Sequence, residues 1–473
     1  MNSDVARILP ELLMAAGGMI LLLFPFLRGS GFLAAASLLL LAAAAWLKAP
    51  LWREEPAVFF SGMLAQERFG LFVQFGILAA TALGVVSAAG YARESVRGRR
   101  EFYALLLFSA AGLSLLAAAQ HLALVYLGLE LVSILSYLLV GFQKRDSLSI
   151  EGALKYFLFG ALSTGAMLYG ISLIYGLTGT MDLTQLAHVF PDAAAQAPLL
   201  AAIALLLLLA GLAFKLALVP FHMWAPDAYE GAAAPVASFI SLGPKLAGFA
   251  VLVRVVLTVV PSAPAWPFLL AVLAAVTMTV GNVAALAQTN LKRLLAYSSI
   301  AHAGTMLIGA AVATPLGITA LLYYLVAYLL MNAGAFLGVI LVGNAVGRED
   351  LSAFSGLSRR APATAFLMTI CLVSLAGIPP LGGFFAKMWI FAAALQAGAV
   401  WLAVVAAVNS VIALFYYARI LKAMYLDLGS SGGPIPSSRP LLAALAFCAL
   451  ALLWLGLGQG PWLDTAAASL PLR

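Results

Sequence analysis

Five ionisable residues lie inside long apolar runs, where a charge is costly. Glu130 sits in Leu127-Gly128-Leu129-Glu130-Leu131-Val132-Ser133, and Lys155 in the first turns of the next run. Lys215 is in Phe214-Lys215-Leu216-Ala217-Leu218-Val219-Pro220, and Lys245 in Gly243-Pro244-Lys245-Leu246-Ala247-Gly248. Lys387 follows Gly377-Ile378-Pro379-Pro380-Leu381-Gly382-Gly383. A lysine at mid-bilayer costs about 2.5–3.5 kcal/mol, so five such groups facing lipid would cost roughly ten kcal/mol or more. They are therefore expected to face a shared interior, water or one another.

That placement implies proton chemistry. Burial disfavours the ammonium form of an amine, and an approaching carboxylate restores it. Glu130 and Lys215 are expected to pair. Lys215 would load a proton when the carboxylate is near and release it through water to Lys245 and then Lys387. Three lysines against one glutamate do not neutralise in a static network. Lys155 has a second reading, as a snorkelling stem or half of a fixed ion pair near a membrane face. Arg254 is read as a snorkelling anchor. His302, within Tyr297-Ser298-Ser299-Ile300-Ala301-His302, is placed as a relay toward Lys387, since imidazole titrates near physiological pH. His222 is either a proton entry point or a hydrogen-bonded loop residue. His121 and His188 read as boundary residues without a role. Asp227 and Glu230 are expected to organise the start of the following span, where the helix dipole favours negative charge.

The elements that must carry these residues are transmembrane helices. Hydrophobic residues make up 64% of the chain and charged residues 9%, against roughly 25% charged in a soluble domain. Mean hydropathy is +1.07. The apolar runs have the length that crosses a core of about 30 Å as helix and lack the alternation of a transmembrane barrel. Fourteen spans are expected, at 8–27, 31–47, 70–90, 102–120, 121–141, 152–176, 198–220, 233–258, 266–287, 295–312, 317–343, 363–398, 401–424 and 440–458. The run 363–398 is too long for one straight helix and is expected to break at its prolines. Basic residues concentrate in odd-numbered loops: Arg28; Arg93, Arg97, Arg99 and Arg100; Lys144 and Arg145; Lys292 and Arg293; Arg348, Arg359 and Arg360; Lys422 and Arg439. Lys48, Arg53 and Arg68 in the second loop are offset by Glu54, Glu55 and Glu67. The odd loops are then cytoplasmic and both termini outside.

Other classes are disfavoured. The net charge of +7 follows from those loops, so nucleic acid is not implied. Cys371 and Cys448 both lie in apolar runs, and the four histidines show no metal-ligand spacing. No cleavable signal pattern is read around Asp4, Arg7 and Glu11. The stretch 429–434 reads as a flexible linker. A proline break with a nearby lysine recurs five spans apart, in the seventh and twelfth spans, consistent with an inverted repeat. The lysines fall on opposite sides of their prolines.

The block from Lys215 through Pro220, His222, Trp224, Pro226, Asp227 and Glu230 to Gly231 resembles the antiporter-like membrane subunits of respiratory complex I. The blocks Ser241–Phe249, Asn290–Gly304 and Gly377–Lys387 resemble the subunit N branch of NADH-quinone oxidoreductase within that family. The resemblance runs from Glu11 to the final helix. It implies an all-α integral membrane protein of about fourteen helices with broken helices seven and twelve. It also implies an N-terminal three-helix segment (1–100), two inverted five-helix units (101–260 and 261–425), and a linker with a C-terminal helix (426–473). It carries proton-path roles onto Glu130, Lys215, Lys245 and Lys387, with Lys155 and His302 beside them. It implies a translocase subunit in a bacterial inner membrane, driven by NADH-to-quinone electron transfer, with NADH, flavin, iron–sulfur clusters and quinone handled by partner subunits and no cofactor on this chain. A multi-subunit sodium/proton antiporter subunit and a structural scaffold are the alternatives. At 231–235 the chain reads Gly-Ala-Ala-Ala-Pro where the family often has Gly-Ala-Pro-Thr-Pro, a change expected to loosen that turn.

Overall fold

The computed structural model describes residues 3–471 apart from 25, 27–28, 93–95, 97–98, 260–262, 264, 429–432 and 437. Arg28, Arg93, Arg97 and most of the expected linker lie outside the described residues. The first four helices are α1 (Leu9–Leu23), α2 (Ser30–Lys48), α3 (Arg68–Ala89) and α4 (Arg100–Ala117). They are followed by α5 (Leu122–Val140), α6 (Ser147–Thr178), α7 (Leu183–Gln196), α8 (Pro198–Leu216), α9 (Trp224–Gly231) and α10 (Ala234–Val259). The second half holds α11 (Trp266–Leu286), α12 (Leu291–Val312), α13 (Pro315–Val346), α14 (Pro362–Ala376), α15 (Gly382–Gln396) and α16 (Val400–Tyr425). The chain closes with α17 (Arg439–Leu457) and α18 (Gln459–Ala467). Among the described residues, twelve helices are long and apolar enough to cross a membrane, and α1 and α14 are shorter apolar helices. The chain is a multi-pass integral membrane protein.

Helix surfaces sort by solvent. On α5, Leu127, Leu131, Ile134 and Leu138 are exposed, and on α6 so are Leu154, Leu158 and Leu162. Their spacing of three or four residues makes a lipid-facing stripe. In contrast α10, α12 and α13 are buried almost throughout. Among their buried polar groups are Lys245 and Arg254 on α10, Ser298, Ser299 and His302 on α12, and Asn332 on α13.

The expected break at 363–398 is present, with α14 ending at Ala376 and α15 starting at Gly382. Gly377 takes the left-handed conformation (φ +85°) that ends α14, and its N–H bonds Ser374 O. Helix α8 stops at Leu216, and Ala217 is left-handed as well (φ 55°). Three features escaped the hydropathy reading. The segment 48–68 is not a bare loop but contains a hairpin, with Ala57–Phe59 antiparallel to Leu64–Gln66. The stretch before α8 contains the surface helix α7, and α18 follows the last span.

Two long helices behave alike. Both α6 and α13 have 32 residues and end on a left-handed glycine, Gly179 (φ 72°) and Gly347 (φ 76°). After α6, Leu122 N donates to Met181 O (2.8 Å) and Leu183 N to Gln120 O (3.0 Å). After α13, Leu291 N donates to Glu349 O (2.9 Å) and Leu351 N to Thr289 O (2.8 Å). The departure from family pattern at 231–235 does not loosen the turn. Ala232 to Ala234 are buried, Val236 N and Ala237 N both bond Ala233 O (2.8 and 3.0 Å), and Lys292 Nζ holds Ala232 O (2.7 Å).

Helices α11 and α12 approach closely through small residues, as membrane helices do. A Cβ on Gly281 would lie 2.6 Å from Ala301 N and 2.9 Å from Tyr297 O, both rigid backbone atoms. Gly281→Ala is therefore expected to push the pair apart and destabilise the fold by about 1–3 kcal/mol. A lowered thermal midpoint of the purified protein in detergent is the measurement, and an unchanged midpoint would contradict this packing.

Candidate functional site

The interior amines occupy three stations. The first is Lys215, in the last turn of α8 and 2% exposed. Its Nζ donates to Ser133 Oγ at 3.1 Å. Ser133 lies one turn along α5 from Glu130. The expected direct ion pair is not made: among the described residues no ion pair joins Glu130 to Lys215. The reason is the face of α5. Ser133 is buried, whereas Glu130 is only half-buried, beside the lipid-facing Leu127 and Leu131.

The second station is Lys245, on α10 directly after Pro244. Its Nζ donates to Ser299 Oγ (2.6 Å) and to the Ser299 carbonyl. The ammonium lies 5.3 Å from the ring centroid of Tyr328, whose hydroxyl donates to Ser299 Oγ (2.7 Å). Tyr229 OH lies 3.4 Å from the same Oγ. One turn along α12, His302 Nδ1 meets Tyr324 OH at 2.8 Å and Nε2 meets Tyr417 OH at 3.3 Å. Tyr417 OH in turn meets Ser298 Oγ at 2.5 Å. His302 is thus in the interior network, as its sequence position implied.

The third station is Lys387, on α15 beyond the break. Its Nζ reaches back to the Leu375 and Ala376 carbonyls, at 3.2 and 2.9 Å. These are orphan carbonyls at the end of α14, where the helix dipole favours a cation. That explains why Lys387 follows its prolines while Lys215 precedes Pro220. A small cavity lined by His302, Thr305, Lys387, Asn282, Asn409 and Tyr416 brings His302 and Lys387 to one space.

The remaining candidates lie elsewhere. Lys155 is 40% exposed and pairs with Glu151 and Asp227, each at 2.6 Å. Arg293 Nη1 binds Asp227 (2.5 Å) and Glu230 (2.9 Å). Asp227 and Glu230 therefore do not organise the start of α10, which begins only at Ala234. They sit on α9 and bind cations from α6 and α12, fastening the two halves together. Burial alone would push the Asp227 carboxyl up, but Lys155 and Arg293 hold it below the usual carboxylate range. His222 lies between α8 and α9, where burial pushes its imidazole below the ordinary histidine range. Its Nδ1 is buried without a partner, and none of its described hydrogen bonds reaches the lysines. Arg254 is not a snorkelling anchor. It is 6% exposed and bound to Glu67 (2.7 Å), Gln120 (2.8 Å) and Ala117 O (3.3 Å).

Sequence reasoning missed the tyrosines. Tyr324 and Tyr328 are four residues apart on α13, and Tyr417 is on α16; all are essentially buried. The available signal was the tyrosine pair at one-turn spacing in an otherwise aliphatic run. It also missed Lys48 and Glu11, a buried ion pair at 2.5 Å, because charges at the ends of apolar runs read as loop residues.

The fold and site define a class: a polytopic membrane protein whose interior holds a line of amines, hydroxyls and an imidazole. Residues 119–413 match the family model described as NADH:quinone oxidoreductase/Mrp antiporter, transmembrane. The chain is 44% identical to "NADH-quinone oxidoreductase subunit N 2" of Sorangium cellulosum, over 88% of this chain and 86% of that one. It is 40% identical to "NADH-quinone oxidoreductase subunit N" of an Anaeromyxobacter strain, over 98% and 96%. Among solved structures it resembles a chain of respiratory complex I from Thermus thermophilus with bound aureothin. There the TM-score is 0.82 and identity 36%, covering 97% of this chain and 99% of that one. The chain belongs to this family of NADH:quinone oxidoreductase and Mrp antiporter membrane subunits.

The ion pairs at Asp227 set a pH signature. Its carboxyl is held below its unfolded value of about 3.9, so the stabilisation is complete above that value and is lost as pH falls through the lower folded value. Asp227→Asn is expected to lower the thermal midpoint by a constant amount between about pH 8 and pH 5, with the deficit closing only below about pH 4. A deficit that closed near neutrality would refute the assignment.

Proposed function

We propose that this chain is a proton-translocating membrane subunit of an NADH-quinone oxidoreductase, acting through Glu130, Lys215, Lys245, His302 and Lys387. The observation that carries the proposal is that each of the three interior lysines is held by hydroxyls or carbonyls and, among the described residues, none by a carboxylate. Such partners accept a hydrogen bond from the ammonium form without fixing its charge. The serine, tyrosine and histidine groups between Lys245 and Lys387 can pass a proton by exchanging donor and acceptor roles.

Lys215 gains a proton as Glu130 swings inward from the border of α5, and loses it as the carboxylate returns. The contact of Lys215 Nζ with Ser133 Oγ rather than with Glu130 supports this reading. Lys155, paired twice at its helix end, serves as a static anchor rather than a station, and His222 as a proton entry group beside the break after α8. Electron transfer from NADH to quinone takes place on partner membrane and peripheral subunits, which carry the flavin, the iron–sulfur clusters and the quinone site. The assembly resides in a bacterial inner membrane, with both termini on the non-cytoplasmic face.

The same reading counts fourteen crossings, with α14 and α15 as one broken span. It divides the chain into an N-terminal segment (1–100), two inverted five-helix units (101–260 and 261–425) and a terminal helix (426–473). The matching 32-residue helices, their left-handed glycine ends and the paired bridges at 122/183 and 291/351 support the repeat. By that count the two bridges lie on opposite faces, as inversion requires.

Lys215→Ala and Lys245→Ala are each expected to cut proton pumping by the assembled complex in sealed vesicles by about tenfold or more, the scale of a lost proton-transfer group. Glu130→Gln is expected to slow NADH oxidation as well, because transport and electron transfer are coupled. Normal pumping in both lysine variants would leave a scaffold role. Co-purification with small membrane proteins alone, without a peripheral redox arm, would indicate the sodium/proton antiporter subunit instead.

A further inference from the structure

A second buried ionic site lies away from the lysine axis, where α1, α2 and α3 meet the hairpin. Glu11 is in the first turn of α1 and Lys48 is the last residue of α2, so the antiparallel pair brings them together at one face. Both are almost fully buried, at 5% and 2% exposure. Lys48 Nζ donates to Glu11 Oε1 (2.5 Å) and to Gln74 Oε1 on α3 (2.9 Å). Gln74 Nε2 passes the chain on to the Ser114 carbonyl of α4 (2.9 Å). The other oxygen, Glu11 Oε2, is buried and has no hydrogen-bond partner among the described residues. Glu11 lines a cavity together with Arg7, Lys48, Gln66, Glu67 and Gln74.

The cavity has a polar rim. Arg7 donates to Gln66 Oε1 (3.0 Å) and lies 3.8 Å from Glu54, which is 48% exposed. Its inner wall includes Glu67, paired with Arg254. Arg254 stands nine residues beyond Lys245 on α10, about 13.5 Å along the helix at 1.5 Å per residue. The cavity is therefore bounded on one side by an exposed ionic rim and on the other by the helix that carries the second amine station.

We propose that this cavity is a proton-exchange site on the face carrying the hairpin, with Glu11 as its proton-carrying group. The inference rests on the proton-translocating reading above and adds a site to it. A carboxylate has about four acceptor positions, and Glu11, a cavity-lining residue, has Oε1 held by Lys48 while Oε2 has no partner among the described residues. A proton arriving from water at the rim forms the O–H bond on Oε2. Glu11 becomes neutral, and Lys48 keeps its charge with Gln74 as acceptor. Release to water restores the ion pair. Arg7, Glu54, Glu67 and Arg254 are the other charged groups around the cavity, and Glu67 is already engaged by Arg254. A purely structural pair is the competing account. Buried pairs add little net stability over an apolar pair of similar size, so the two accounts diverge when the pair is replaced by neutral isosteres.

The test is the Glu11→Gln/Lys48→Met double variant in the assembled complex, with Lys245→Ala as reference. The expected result is normal subunit content with proton pumping reduced about tenfold, the scale of a lost proton-transfer group. Pumping within about twofold of wild type, while Lys245→Ala still abolishes it, would overturn the exchange site and leave the proposed function intact. A second measurement needs no variant. A lipophilic carbodiimide adds only to a protonated carboxyl, so wild-type complex turning over NADH should yield a Glu11 adduct detectable by peptide mass spectrometry. A Glu11 that stays unlabelled, as a permanently ion-paired carboxylate would, also overturns the proposal, even if the double variant fails to assemble.

Discussion

An ammonium ion in hydrocarbon has few tolerable surroundings, and the interior of this protein is organised around supplying them. Each buried lysine needs acceptors for its N–H groups and a place off the lipid face. Lys215 finds a serine hydroxyl, Lys245 a serine hydroxyl and carbonyl beneath a tyrosine ring, and Lys387 the open carbonyls of a helix end. The partners of Lys245 come from α12 and α13, which are sealed from lipid, whereas Lys215 is held by the buried face of α5. The lipid-facing helices, α5 and α6, present leucine stripes outward. The distribution of small residues follows as well, since Gly281 and Gly304 let α11 and α12 close tightly around the Ser298–His302 segment.

Broken helices answer the same demand for acceptors. A helix that stops inside the membrane leaves carbonyls that water cannot satisfy freely. At the end of α14, Gly377 turns back and Lys387 covers two of these carbonyls. At the end of α8, Ala217 turns left-handed, Leu218 N bonds Ala213 O (2.8 Å), and Trp224 Nε1 reaches Phe214 O (3.3 Å). One break is thus closed by an amine and the other by an indole and backbone. Only the first places its lysine on the break itself.

Hydropathy and charge made much of this legible. The apolar runs located nearly every long helix, since a span of about 20 apolar residues has few other solutions in lipid. Gly377 and the following prolines located the break. The interior amines were visible because a lysine deep in such a run is costly unless it faces the interior, whereas Lys155, nearer a helix end, also had a structural reading. The partners were less visible: serine and tyrosine are tolerated at many depths, and nothing in the one-dimensional pattern says that Ser133 rather than Glu130 receives Lys215. That choice depends on which side of α5 faces α8, and the two residues are only one turn apart. Arg254, Lys48 and Glu11 were misjudged for a related reason. Proximity to the end of an apolar run suggests contact with water, but the hairpin after α2 folds over that end and buries them.

The contrast between the two sets of charges gives the strongest physical argument about function. Around its periphery the chain builds well-formed ion pairs: Lys48 with Glu11, Arg254 with Glu67, Lys292 with Glu349 (2.7 Å), and Lys155 and Arg293 with Asp227. Among the described residues, Lys215, Lys245 and Lys387 have no such partner. A fold that needed only to neutralise its interior could have placed carboxylates there, as it does elsewhere, or used apolar residues of similar volume at lower cost. Under the proposed function, withholding the counter-ion leaves each amine free to change its protonation when a carboxylate moves. In that proposal Glu130, half-exposed on the border of α5 and one turn from the hydroxyl that holds Lys215, is the moving acid.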